Sequence, residues 1–143
     1  MVKKTFLTKE KIIKIENGNV MHALKKNSEG YVDFGEAYFS KINFHAIKAW
    51  KKHEKMTLNL LVPYGKVCFV VVLRNNDKNV FQKYILSSED YNRLTIPPGT
   101  CFGFKGLSKP FSLVLNISDI IHDDNEVEKI NLDDVDYSWR DII

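Results

Sequence analysis

Long hydrophobic runs are missing from this chain. The longest, Val67–Leu73, falls far short of the roughly 20 residues that a membrane-spanning helix needs. The first fourteen residues interleave Lys3, Lys4, Lys9, Lys11 and Lys14 with Phe6, Leu7, Ile12 and Ile13, which is not the apolar block of a secretory leader. A cytoplasmic protein with no membrane partner is expected. Cysteine is scarce: Cys68 and Cys101 both sit in apolar runs, which points to buried free thiols rather than a disulfide framework. Charge of one sign is not in large excess either, with Lys+Arg 21 against Asp+Glu 18 and a net charge of +3. The clustered basic stripe of a nucleic-acid binder is absent, so no nucleic-acid polymer is expected as partner. There is no repeat, low-complexity segment or Ser/Pro linker, and the 143 residues read as one domain over 1–143, enough to build a single core.

What is present is a succession of short runs rich in Val, Ile, Leu, Phe and Tyr, separated by turn clusters. Strands are expected at 38–44, 46–51, 57–62, 66–73, 81–86, 93–96, 100–105 and 112–117. Pro63-Tyr64-Gly65, Asn75-Asn76-Asp77-Lys78-Asn79 and Pro97-Pro98-Gly99 supply turns, with Gly65 free to take a positive φ. Val67–Leu73 is apolar at nearly every position and should be covered on both faces. A short helix over 9–15, one helical turn at 87–90, and an extended acidic tail over 123–136 complete the reading. Many short strands with Gly/Pro turns predict an all-β fold, a jelly-roll barrel or sandwich.

One spacing resembles the cupin frame, whose first motif has two histidines two apart, then an acid and a glycine, and whose second has Pro-x-Gly followed by a third histidine. Laid on this chain, Lys51 and His53 take the paired positions, Leu58 the acidic one and Gly65 the glycine. Pro97-Pro98-Gly99 is the turn, and Phe102 takes the last histidine. Strand alternation points residues 51 and 53 to one face. A metal requires several converging N, O or S donors, and of these positions only His53 offers one. No metal and no other cofactor is expected.

Gly35-Glu36-Ala37-Tyr38-Phe39-Ser40, the run Ala46–His53, Ile96-Pro97-Pro98-Gly99, Phe102–Ser108 and Asp133–Trp139 together resemble the dTDP-4-dehydrorhamnose 3,5-epimerase family. The resemblance covers roughly residues 15–140. It implies a metal-free cupin jelly roll, working as a homodimer on nucleotide-linked 4-keto sugars that feed surface polysaccharides. In that family a histidine removes the proton beside the ketone, an aspartate supports it, a tyrosine on a late strand protonates the opposite face, and basic residues hold the diphosphate. Carried over by position, these become Lys51, Asp134, about Leu115, and Lys48.

A lysine is a poor base near its reference pKa of about 10.4, so Lys51 is assigned to stabilising an enolate or phosphate, oriented by Asp134. His53, with a reference pKa near 6.5, becomes the proton-transfer group. Alternation sends Lys48 and Lys52 to the other face, so Lys48 rests on the resemblance as a diphosphate contact. Thr57 and Asn59 are taken as lining the same cavity. Trp50 and Trp139 are assigned to packing or a dimer interface, His22, His45 and His122 to structural or exposed positions, and Asp123, Asp124, Glu126 and Glu128 to a solvated loop. The expected activity is epimerisation or isomerisation of a 4-keto-deoxyhexose nucleotide. A non-catalytic cupin binding a sugar nucleotide or a partner enzyme is the alternative, motivated by Leu115 and Phe102. A 3,4-ketoisomerase would call for a paired-histidine signature that this chain lacks.

Overall fold

A computed structural model describes residues 2–142. Its strands are β1 (Phe6–Lys9), β2 (Ile12–Ile15), β3 (Gly18–Met21), β4 (Glu36–Asn43), β5 (Ile47–His53), β6 (Leu58–Tyr64), β7 (Lys66–Asn75), β8 (Lys78–Ser87), β9 (Asn92–Ile96), β10 (Cys101–Gly106), β11 (Phe111–Ser118) and β12 (Val127–Lys129), followed by a 3₁₀ turn at Leu132–Asp134. The first sheet runs β1-β9-β6-β11-β4 and the second β12-β5-β10-β7-β8, while β2 and β3 form a separate hairpin. All pairings are antiparallel. This is the expected all-β jelly roll of cupin type.

The alternation of each strand decides what lies between the sheets. Leu58, Leu60 and Val62 of β6 meet Val67, Phe69 and Val71 of β7 in the central core, while Cys68 and Val70 face the opposite way onto Trp50, Trp139 and Ile142. Val67 through Val71 are all fully buried, because the C-terminal segment covers the outer face of the second sheet. Lys105 fastens that segment, its Nζ donating to the carbonyls of Trp139 (3.0 Å) and Ile142 (2.9 Å). On the outer face of the first sheet, Leu61, Tyr91 and Ile117 are covered by Ile12, Met21, Ala23 and Leu24.

The turns behave as their residues dictate. Asn76 and Asp77 take φ of 50° and 65° at the β7–β8 tip, the pattern of a primed hairpin turn. Gly99, at φ 79°, donates its N–H to the carbonyl of His53 at 2.6 Å, so the Pro-Pro-Gly turn pins the end of β5.

Three local expectations are corrected. Residues 9–15 form no helix; they complete β1 and supply β2, because Asn17-Gly18 closes a hairpin and Ile12 and Met21 face each other across it. The 87–90 segment is a bend held by Ser87 Oγ accepting from the Asp90 N–H at 3.0 Å, without a helical turn. Pro63 lies inside β6 rather than in a turn, where the β6–β11 register shifts and no ladder donor is required of it.

Candidate functional site

Between the two sheets, at the end where β5 and β12 pair, lies a cavity of about 500 Å³. The second sheet contributes Lys48, Lys51, His53, Phe102 and Lys129 to its wall; the first contributes Tyr38, Ser40, Leu58, Leu60 and Asn116. Lys51 and His53 therefore share one chamber, as strand alternation requires.

His53 is 7% exposed. Its Nδ1 is hydrogen-bonded to Glu126 Oε1. Glu126 is itself 2% exposed, and its second oxygen accepts the backbone N–H groups of Lys55 (3.1 Å) and Met56 (3.2 Å). Burial works to raise the Glu126 carboxyl, but the bond to His53 and the two backbone donors outweigh it and hold the group below its ordinary value. An ionised carboxylate only accepts hydrogen bonds, so Nδ1 carries the ring proton toward it. Among the described residues, Nε2 has no protein partner. The imidazole is thus fixed in orientation and tautomer with a lone pair left for a ligand in the cavity.

The lysines meet through a β-bulge. In the β5–β10 pairing Phe102 faces Lys51 and Gly103 faces Ala49, so Trp50 is the extra residue. Trp50 turns outward into the aromatic cluster with Tyr137 and Trp139, and the strand is rephased on either side of it. Lys48 consequently lines the cavity with Lys51, whereas regular alternation sent it to the other face. Burial first, then the neighbouring Lys129 and Lys48 charges, lower the Lys51 pKa, against an opposing pull from Glu126. Among the described residues Lys48, Lys51 and Lys129 take part in no ion pair, which leaves three cationic groups for an anionic ligand.

Other sequence-derived site residues fall elsewhere. Asp134 is exposed in the 3₁₀ turn and makes no hydrogen bond to Lys51 among the described residues; the carboxylate in the chamber is Glu126. Thr57 and Asn59 are buried on the opposite face of the first sheet, because Leu58 and Leu60 take the inward phase of β6. Thr57 donates its N–H to Asp119 Oδ1 at 2.8 Å. Asn59 accepts from Arg93 Nη1 and Thr95 Oγ1, within a network in which the fully buried Arg93 also holds Glu10 at 2.7 Å. Leu115 packs outward against Leu61, Tyr91 and Ile117, and Asn116 is the β11 residue that faces the cavity. Sequence reasoning placed Glu126 in a solvated loop. Its only local signal is the acidic cluster 123–128, and nothing nearby in sequence ties it to His53.

Fold and site together define a cupin-type jelly roll with a histidine–carboxylate pair at a lysine-rimmed cavity. A dTDP sugar isomerase from Desulfovibrio desulfuricans superposes with a TM-score of 0.88 at 30% identity, over 96% of this chain and 92% of that one. The chain belongs to the dTDP-sugar isomerase and epimerase family. Two more distant structures share the fold. One is a dTDP-6-deoxy-D-glucose-3,5-epimerase from Legionella pneumophila in complex with dTDP-4-keto-L-rhamnose (20% identity, 90% and 73% covered, TM-score 0.76). The other is a sugar 3,4-ketoisomerase from Thermoanaerobacterium thermosaccharolyticum in complex with TDP (16%, 93% and 92%, 0.75). No protein-family profile and no curated protein matches the chain.

Proposed function

We propose that this single cupin domain is a metal-independent epimerase or isomerase of a dTDP-linked 4-keto-deoxyhexose. The observation that carries the reading is the His53 imidazole, held through Nδ1 by Glu126 and open at Nε2 to a cavity flanked by Lys48, Lys51 and Lys129. His53 takes the proton next to the ketone, and the Glu126 carboxylate stabilises the imidazolium that results. Lys51 stabilises the developing enolate oxygen, and Lys48 with Lys129 contacts the diphosphate. The cavity volume of about 500 Å³ is within the range of small-molecule sites. Family membership supports the substrate class. The non-catalytic alternative loses its motive at Leu115, since that side chain faces away from the chamber.

A cytoplasmic homodimer serving surface-polysaccharide synthesis completes the proposal. Exposed Phe34, Phe39 and Ile121, at 59%, 62% and 71%, support an association surface beside the open β4 edge.

The test is incubation with dTDP-4-keto-6-deoxyglucose in heavy water. Wild type should wash deuterium into C3 or C5, and His53→Asn should lose that exchange while still being stabilised against heat by dTDP. Absence of exchange by wild type with every 4-keto nucleotide sugar tried would refute the reading.

A further inference from the structure

We propose that Ser40 and Asn116 form a couple that reads one hydroxyl of the sugar, the 2-hydroxyl, and so decides which 4-keto sugars are accepted. This rests on the proposed function and deepens it from a substrate class to a recognition rule.

The two side chains meet across the β4–β11 ladder. Val114 pairs with Ser40 and Asn116 with Tyr38. Alternation turns Ser40 and Asn116 to the cavity, while Phe39 and Leu115 face outward. Asn116 is 8% exposed. Its Nδ2 donates to Ser40 Oγ at 3.0 Å and to the carbonyls of Tyr38 and Val114 at 3.3 and 3.2 Å. Reversing the amide would set its oxygen against two carbonyl oxygens, so these contacts fix which end is which. Oδ1 then has no protein donor among the described residues. It is not among the sealed unpartnered atoms, Thr5 Oγ1, Thr8 Oγ1 and Trp139 Nε1, so a ligand in the cavity can reach it. Ser40 Oγ accepts from Asn116 and donates to no protein group among the described residues, which leaves its proton free.

The couple thus presents one acceptor and one donor side by side, on residues joined by a hydrogen bond. A hydroxyl is the substituent of a 4-keto-deoxyhexose that donates and accepts at a single atom. A ketone or ring oxygen only accepts, a methyl does neither, and an ammonium substituent only donates. The charge on the two walls agrees with this division. Lys48, Lys51 and Lys129 stand on the opposite side, whereas the first-sheet wall holds the uncharged Tyr38, Leu58 and Leu60 beside the couple. The anionic part of the ligand is drawn to the lysines, and the neutral ring is left to the first sheet.

Stereochemistry selects the hydroxyl. The proton leaves a carbon beside the ketone, C3 or C5. A 3-hydroxyl would swing out of a fixed couple whenever C3 inverts. The 2-hydroxyl sits on a carbon that is not adjacent to the ketone and keeps its configuration throughout, so it can anchor the ring from substrate to product.

The test compares dTDP-4-keto-6-deoxyglucose with its 2-deoxy analogue, each assayed below saturation for deuterium wash-in from heavy water. Wild type should prefer the 2-hydroxy sugar by about a hundredfold, because the analogue leaves both members of the couple unpaired. Ser40→Ala should lower the preference to about tenfold. Asn116→Ala should lower it further, since Ser40 then also loses the amide that holds it. The readout is a ratio within one protein, so a merely structural loss of activity cancels. If Asn116→Ala does not fold, Ser40→Ala decides alone. Equal exchange of both sugars by wild type overturns the couple, and so does a wild-type preference that survives in the folded variants. Wild type that exchanges neither sugar, nor any other 4-keto nucleotide sugar, refutes the proposed function itself and this inference with it.

Discussion

A carboxylate that is 2% exposed persists inside a barrel only when its oxygens are engaged. Glu126 meets that condition with one side chain and two backbone donors. Glu126→Gln keeps an acceptor for the backbone N–H groups but removes the charge that stabilises an imidazolium. Deuterium wash-in should therefore fall by about 10²–10³-fold, the scale of a general-base contribution, with little change in the dTDP-induced melting shift. The sign of the pH effect follows from the depressed carboxyl. The unfolded chain binds the proton more readily, so this stabilisation is present above about pH 4.3 and is lost as pH falls through the lower folded value. Urea melts from pH 3 to 6 should show the wild-type advantage over Glu126→Gln shrinking in acid; a constant gap would contradict the assignment. His53 was legible in the sequence because period-two spacing and the cupin frame select it. Lys48 was reached through the family resemblance and not through strand alternation, because the bulge at Trp50 leaves no signature in residue types. Thr57 and Asn59 were read in the wrong phase, since the inward positions of β6 are 58 and 60.

Among the elements, the segment after β12 has two tasks. It covers the outer face of the second sheet and it walls the cavity. Trp50 and Ile130 exchange backbone hydrogen bonds at 3.0 Å, and Trp50 Nε1 donates to the Leu132 carbonyl at 3.3 Å. Trp139 packs against Trp50 with ring centroids 5.2 Å apart and planes tilted by 40°. Trp139→Ala should cost about 3–5 kcal/mol through the void it leaves, on the order of 10 °C in melting temperature. It should also raise KM more than it lowers kcat, because the wall at 130–132 loses support without any reacting group being touched. Calorimetry and steady-state kinetics check both. Most strands were legible from apolar alternation and turn residues. The 9–15 segment was not, because Ile12, Ile13 and Ile15 suit a helix stripe as well as a strand, and Asn17-Gly18 decides between them.

For the whole molecule, the jelly roll was legible because many short apolar runs with Gly/Pro turns have few packing solutions. The chamber was less so, since its wall draws on β4, β5, β6, β10, β11 and the segment that follows. The thiols report on this closed packing. Burial pushes Cys68 and Cys101 up to about 11, so the thiolate fraction at pH 8 is on the order of one in a thousand. Alkylation of the native protein should run about a hundredfold or more slower than in urea, and a native thiol labelling at the unfolded rate would contradict the burial. Because these values are raised, their stabilisation is intact below about pH 8.5 and is lost as pH rises through about 11.

His53 and Glu126 stand 73 positions apart along the chain. During synthesis the imidazole leaves the ribosome before the carboxylate that orients it, so a nascent chain arrested short of residue 126 holds the histidine without its partner. The histidine–carboxylate pair is then assembled only once β12 has docked beside β5.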